Sequence, residues 1–289
     1  MEEQKKFELS FIGKLFESVG RLFLKTTPGK LAKLFFQMVE SFFVGNKNFK
    51  TDTKNFILQI FFTGVELFPV LCIVAVIFGT VVIFETISLT SRMGFGDVMG
   101  NVLTIVIIRE LGPIFTAFLI AGRSGSALAS LIGNMQLNLE VDALATMGIN
   151  PIRYLMMPAL LGGTVAVFIM NICFSFCAIC GGYFIAKTAI GFLGQLTNVQ
   201  LTWQFITTSI LSALSFTDFL LLIIKPIIFG IIIVVNACYQ GLRVDRDVRN
   251  LPKATSRSVI YSFLYIVIAD AILSVFYIFE YLEEISKII

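Results

Sequence analysis

RELGPIFTAFLIAGRSGSALASLIGNMQLNLEVDALATMGINPIRYLMMP, residues 109–158, decides how the rest of the chain is read. Two adjacent charges open it inside an apolar run and a ladder of small residues follows. A polar amphipathic segment bounded by Gly148 and Pro151 then leads into another long apolar run. That order reads as membrane helix, cytoplasmic coupling segment, membrane helix.

Arg109 and Glu110 lie between NVLTIVII and LGPIFTAFLI. Both therefore fall at bilayer depth, where a charge costs at least ~2.5 kcal/mol. They must face a partner or a water-filled cavity, either tying helices together or lining a transport path. Pro113 has no N–H, and with Gly112 it is expected to bend the helix or turn a carbonyl toward the same place. Beyond the charges, Ala117, Ala121, Gly125, Ala129 and Gly133 recur every four residues and share one helical face. Small side chains at this spacing let backbones approach closely, which predicts a homodimer contact along this face or packed behind it. Ser124, Ser126 and Ser130 are expected to carry the chain out of the hydrocarbon near Gly122.

Asn138 is placed to cap a short helix that has Glu140 in its first turn and Gly148 as its stop. Leu137, Val141 and Leu144 form a narrow apolar stripe, with Glu140 and Asp142 off it. The anionic inner leaflet attracts basic segments, so an acidic surface helix favours a protein partner over headgroups.

Together RELGP, AGRSGSA, DALATMGINPIRYL and a later CYQGL resemble the MlaE (YrbE) family of permeases, the membrane subunits of lipid ABC transporters that work with MCE-domain proteins. The resemblance runs from about Phe56 to Phe279. It departs at Leu131, where an acidic residue is usual, at Asn138, Leu139 and Glu140, where Thr-Glu-Gln is usual, and in the loop 241–257. The resemblance implies that two copies of the chain pair and that cytoplasmic ATPase subunits grip the 134–151 segment. Asn138, Glu140, Asp142, Gly148, Pro151 and Arg153 would form that contact. It also implies an MCE-domain protein on the outer face, membrane lipids as cargo, and ATP bound by the partner subunit with no cofactor on this chain. A bacterial inner membrane, or a plastid inner envelope in a plastid lineage, is the implied location.

Composition agrees with a membrane protein, because 57% of residues are hydrophobic and only 14% charged, against roughly 25% charged in soluble domains. With no histidine, a Ser-His-Asp triad, an HExxH zinc site and a His general base are all impossible. No GxxxxGK[ST] motif is present, so nothing here cradles a nucleotide by the usual route and the chain reads as a transport subunit, not an enzyme. Cys177-Ala-Ile-Cys180 has a redox-like spacing but sits in an apolar run, and packing is the simpler reading.

The chain divides into a basic amphipathic interfacial region, 1–54, and a transmembrane permease domain, 55–289. The first carries most of the lysines at amphipathic helical spacing and suits an anionic cytoplasmic leaflet, with no reason to bind nucleic acid. The second is an all-α bundle of about five spans. The run Phe56 to Ile87 is too long for one ~20-residue crossing, so its first part should lie along the interface until Pro69 turns it inward. The next spans are expected at about Val98 to Gly122, Tyr154 to Phe184, Phe216 to Tyr239 and Val259 to Tyr281. Ser88 to Gly96 is expected as a short external loop, and Lys187 to Ser215 as an external segment with a short surface helix. The basic N-terminal region and the Arg-rich loop 241–257 place the N-terminus in the cytoplasm.

Lys225 and Asp270 lie inside the fourth and fifth spans at matching depths, and an unpaired charge there would cost several kcal/mol. They are expected to pair with each other or within one network, whereas Asp218 and Glu280 are expected to snorkel to water. If Arg109, Glu110, Lys225 and Asp270 relayed protons or ions instead, the chain would be a secondary transporter. If substituting them mattered only through stability, it would be a membrane scaffold.

Overall fold

A computed structural model describes residues 27–44, 49–93, 98–193, 202–244 and 247–288. Among these there is no strand. Helix α1 (Thr27–Val44) is followed by α2 (Phe49–Ile60), which widens into a π-helical turn at Phe61–Val65. After a break at Glu66 and Leu67 the first crossing helix, α3 (Phe68–Met93), begins one residue before Pro69. The elbow expected from the proline is therefore present. Five helices are long and apolar enough to cross a membrane, and Phe56–Val65 is a shorter apolar helix before them. The protein is an integral membrane protein.

The second span, Gly100–Leu137, is a chain of segments. They are α4 (Val98–Leu103), a π-helical stretch at Thr104–Leu111, α5 (Gly112–Ile120), a second π turn at Ala121–Gly125, and α6 (Ser126–Leu137). The helix itself continues past Gly122 to Leu137. Ser126 Oγ donates back to the carbonyls of Gly122 at 2.6 Å and Arg123 at 2.8 Å. Ser124 Oγ donates to the Thr63 carbonyl at 3.2 Å, so these hydroxyls are satisfied inside the bundle and the helix continues.

The third span, Ile152–Ala189, comprises a π turn at Ile152–Met156 and the start of α8 (Met157–Leu193), which follows the short α7 (Glu140–Thr146). Then come α9 (Trp203–Ala213), α10 (Phe216–Leu242), a 3-10 turn at Val248–Asn250 and α11 (Leu251–Ile288). Helices run beyond the expected spans: α3 reaches Met93 where a loop was expected from Ser88, and much of 241–257 is helical. Arg246 and most of the basic residues of 1–54 fall outside the described residues. The surface helix expected within 187–215 is α9, and its Ile206 and Ile210 are buried.

The small-residue ladder faces the chain's own helices, not a second copy. Ala117, Ala121 and Ala129 are wholly buried. A Cβ on Gly125 would meet Ile233 of α10 at 3.2 Å, and one on Gly133 would meet Leu251 at 2.6 Å and Val244 at 3.0 Å. Across the seam, a Cβ on Gly241 would lie 2.9 Å from the Ala129 carbonyl. Spans two and four thus approach at backbone distance, the use that small residues have in membrane helices. The homodimer contact along Ala117–Gly133 is corrected accordingly, because that face is already filled.

The candidate functional site

Five ionisable side chains meet between spans two, four and five. Lys225 of α10 is completely enclosed, and its ammonium lies 2.8 Å from Asp270 and 2.9 Å from Glu110. It also donates to the Ser274 hydroxyl and to the Arg109 carbonyl, both at 3.1 Å. The expected Lys225–Asp270 pair is present, and Glu110 joins it. Ser274 Oγ donates in turn to the Glu110 carboxylate at 3.3 Å.

The carbonyl of Arg109 is available for a structural reason. In a regular helix it would accept from the N–H four residues on, but that residue is Pro113. The π-helical stretch that ends at Leu111 widens the same turn. The expected exposed carbonyl therefore exists, and a buried cation satisfies it. Pro226 does the same to Leu222 on α10, and the Asn171 side-chain amide of α8 approaches that carbonyl at 3.5 Å.

Arg109 points to a different partner. Its Nε donates to Asp218 Oδ1 at 3.0 Å, and Nη2 forms an ion pair with the same oxygen. Nη2 also donates to the Tyr277 hydroxyl at 3.0 Å, with the guanidinium 4.0 Å from the Tyr277 ring centroid. Asp218 does not snorkel, since only 3% of it is exposed. Its other oxygen accepts from the Ser215 N–H at 3.0 Å and the Ser215 hydroxyl at 2.9 Å, and Ser215 Oγ accepts from the Asp218 N–H. One carboxylate thus closes the capping box that starts α10 and holds Arg109. The box was visible as Ser215-x-x-Asp218, but its free oxygen lone pairs were not counted.

Gly112 lies where span two touches α8. A Cβ there would stand 2.8 Å from the Ile107 carbonyl, 3.0 Å from Ser175 Oγ and 3.1 Å from Asn171 Oδ1. Both side-chain oxygens are buried without a conventional hydrogen-bond donor. Asn171 and Ser175, four residues apart in an apolar run, carried this signal in the sequence and were not read. A second polar tie joins spans four and five, where Asn236 Nδ2 donates to the Ser258 carbonyl at 2.8 Å and to Ser262 Oγ at 2.9 Å.

At the other end of span two, Arg123 forms an ion pair with Glu66 and donates to the Phe62 carbonyl at 3.4 Å. With Ser124 on Thr63, this pins the elbow between α2 and α3 through the AGRSGSA stretch.

The 134–151 segment is mostly exposed and holds α7, which is capped at its C-terminal end only. Asn138 is not its cap. It ends α6, and Leu139 occupies the cap position at φ 59° while Asn138 Nδ2 donates to Glu140 at 3.2 Å. The correction follows from the chain direction: α6 continues to Leu137, so a left-handed residue is needed to turn into α7. At the far end Gly148, φ 77°, donates to Ala145 at 3.0 Å and Ile149 donates to Leu144 at 2.9 Å, the paired bonds of a Schellman stop. Asn150 Oδ1 then accepts from Ile152 N at 3.0 Å as Pro151 opens the third span. Glu140 and Asp142 are exposed in the first turn. Arg153 follows in the π turn.

Five apolar spans, a buried charge network and an exposed capped helix between two spans define a polytopic membrane subunit of a transporter. The family model for Permease MlaE matches residues 56–276, and the chain belongs to that family. It is 25% identical over 216 residues to a probable ABC transporter permease protein of Rickettsia typhi, covering 75% of this chain and 80% of that one. A probable ABC transporter permease protein of Synechocystis is 27% identical over 255 residues, covering 84% and 92%. The chloroplastic protein TRIGALACTOSYLDIACYLGLYCEROL 1 of Arabidopsis thaliana is 29% identical over 229 residues, covering 79% of this chain and 63% of its own. The chain is therefore an ABC transporter permease of the MlaE family, a transport subunit that works with ATPase partners.

Proposed function

We propose that this permease moves lipids between the membrane and an MCE-domain protein on its outer face, driven by ATP bound and hydrolysed on separate cytoplasmic subunits. The observation that carries the reading is the buried network of Arg109, Glu110, Lys225, Asp218 and Asp270 within an otherwise apolar bundle. Charges at that depth suit a path that must pass a headgroup as well as acyl chains. The Arabidopsis relative carries the name of a galactolipid, which supports a lipid as cargo.

The α7 segment, with Glu140 and Asp142 exposed, is the element that grips the ATPase, and Arg153 at the base of the third span completes the contact. The N-terminus and the 241–257 turn share the cytoplasmic side with it, as the basic residues of 1–54 and of that turn favour. Thr27–Val44 and the start of the next helix, up to residue 54, belong to an interfacial region on that leaflet, ahead of a permease domain from residue 55. A second copy of the chain completes the transporter. The fifth span supplies the surface, since 17% of its apolar window is buried in one chain against 33–50% in the others. The membrane is a bacterial inner membrane or a plastid inner envelope. This chain needs no cofactor of its own.

Purification from native membranes under mild detergent tests the reading. An ABC ATPase and an MCE-domain protein should co-purify, and the reconstituted assembly should transfer fluorescent phospholipid only with ATP. Transfer driven by a proton or sodium gradient without ATP would overturn it in favour of a secondary transporter.

A further inference from the structure

We propose that Cys72 and Cys177 form an intramembrane thiol pair that a lipid-soluble quinone converts to a disulfide, stapling the first span to the third. Cys72 lies on α3 and Cys177 on α8, and their sulfurs are 3.5 Å apart. The helices meet here at backbone distance. A Cβ on Gly79 would lie 2.0 Å from the Ala178 carbonyl, and one on Gly182 would lie 2.5 Å from the Gly79 carbonyl carbon. That contact holds the two helices together next to Cys177 and about two turns along α3 from Cys72. A disulfide needs its sulfurs at ~2.05 Å, so oxidation draws the two thiols together by about 1.5 Å more.

Both thiols are half-buried, at the edge of the seam and not under it. Exposed Ile73 follows Cys72 and exposed Phe176 precedes Cys177, so the pair opens toward the apolar surface that the bilayer covers. An oxidant dissolved in lipid reaches it there. Cys238, by contrast, is fully enclosed. Cys173 and Cys180 flank Cys177 by about one turn on α8, but only Cys177 lies at bonding distance from a cysteine on another helix among the described residues.

The reaction balances with the quinone as the two-electron acceptor. Two S–H bonds break and one S–S bond forms. Two electrons and two protons pass to the quinone oxygens, giving the quinol. A thiol–disulfide exchange with a small dithiol reverses it.

The full-length chain in phosphatidylcholine nanodiscs, treated with duroquinone, provides the test. Every ring carbon of duroquinone that could add a thiol carries a methyl group, which leaves electron transfer as its route. After denaturation, maleimide labelling should fall from five thiols per chain to three, and a phosphine should restore five. Peptide mass spectrometry of the wild-type protein should find residues 72 and 177 joined within one chain, two hydrogen masses lighter than the separate peptides. Cys72→Ser and Cys177→Ser should each prevent the loss, and Cys180→Ser should not. Five thiols surviving treatment, or a crosslink that joins other cysteines or persists in Cys72→Ser, would overturn the assignment.

Discussion

Replacing Lys225 with Met tests whether the charge network holds the bundle together. The side chain is wholly enclosed and reaches two carboxylates, a hydroxyl and the carbonyl that Pro113 leaves free. Met keeps much of the apolar stem and removes the ammonium. Asp270 and Glu110 then face each other without a cation, and breaking a buried pair from one side costs about 3–5 kcal/mol. The Asp270 side chain is 12% exposed and that of Glu110 31%, so most of the penalty falls on Asp270. Losing the donor to the Arg109 carbonyl adds less, since hydrogen bonds between membrane helices average about 0.6 kcal/mol. A drop of about 4 kcal/mol in unfolding free energy is expected, measured by unfolding in mixed micelles of rising SDS fraction. Lys225→Met with Asp270→Asn should recover about 1–3 kcal/mol of that, and adding Glu110→Gln should recover more. If the single variant is no less stable than the double, the pairing does not carry the energy assigned to it.

Arg109→Lys should weaken the tie between spans two and four by about 1–2 kcal/mol in the same unfolding assay, because an ammonium cannot reproduce the planar contact with Asp218 and the stack on Tyr277; equal stability would remove the guanidinium from the argument. Gly112→Ala should cost about 1–3 kcal/mol through overpacking against Ile107, Ser175 and Asn171. Ser175→Ala added to it should recover only part of that cost, since the backbone carbonyl stays in place. Gly125→Leu should abolish folded protein on size-exclusion chromatography, because even its Cβ meets Ile233 at 3.2 Å; a monodisperse, active variant would count against the seam. Glu140→Lys with Asp142→Lys should cost no more than about 1–2 kcal/mol in unfolding, through the lost Asn138 contact and the loss of anions from the first turn, and lose the ATPase in pull-downs, whereas retained binding and ATP-driven transfer would exclude α7 as the coupling element.

The features that are local in sequence were the legible ones. Pro69 turning the elbow, Gly148 ending α7 and Pro113 freeing a carbonyl follow from what each residue can and cannot do with its own backbone. Lys225–Asp270 was also readable, because two buried charges at matching depth on adjacent antiparallel spans have few ways to be satisfied. The ladder from Ala117 to Gly133 announced close packing but not its partner, since four-residue spacing fixes a face and says nothing about which helix fills it. The serines after Gly122 do not end the helix, and the reason is again local. Hydroxyls that return their hydrogen to a carbonyl three or four residues back cost little in a membrane, and hydropathy alone does not register that. Asp218 lies near a helix end, where depth alone points to water, but its capping role turns the carboxylate inward to Ser215 and Arg109.

Both prolines in the network serve the same physical end. Each removes a helix donor in the middle of a span, and in hydrocarbon the freed carbonyl must find another. The Arg109 carbonyl finds the Lys225 ammonium, and the Leu222 carbonyl lies against the Asn171 amide. Lys225 sits one residue before Pro226, so the proline that frees the second carbonyl lies beside the cation that satisfies the first. The backbone defects of spans two and four are thereby met by two side chains, Lys225 on span four and Asn171 on span three. A displacement of span four that withdrew Lys225 would uncover the Arg109 carbonyl and separate Glu110 and Asp270 from their shared cation in one step. The two proline sites are therefore not independent, and movement at one changes the energy of the other.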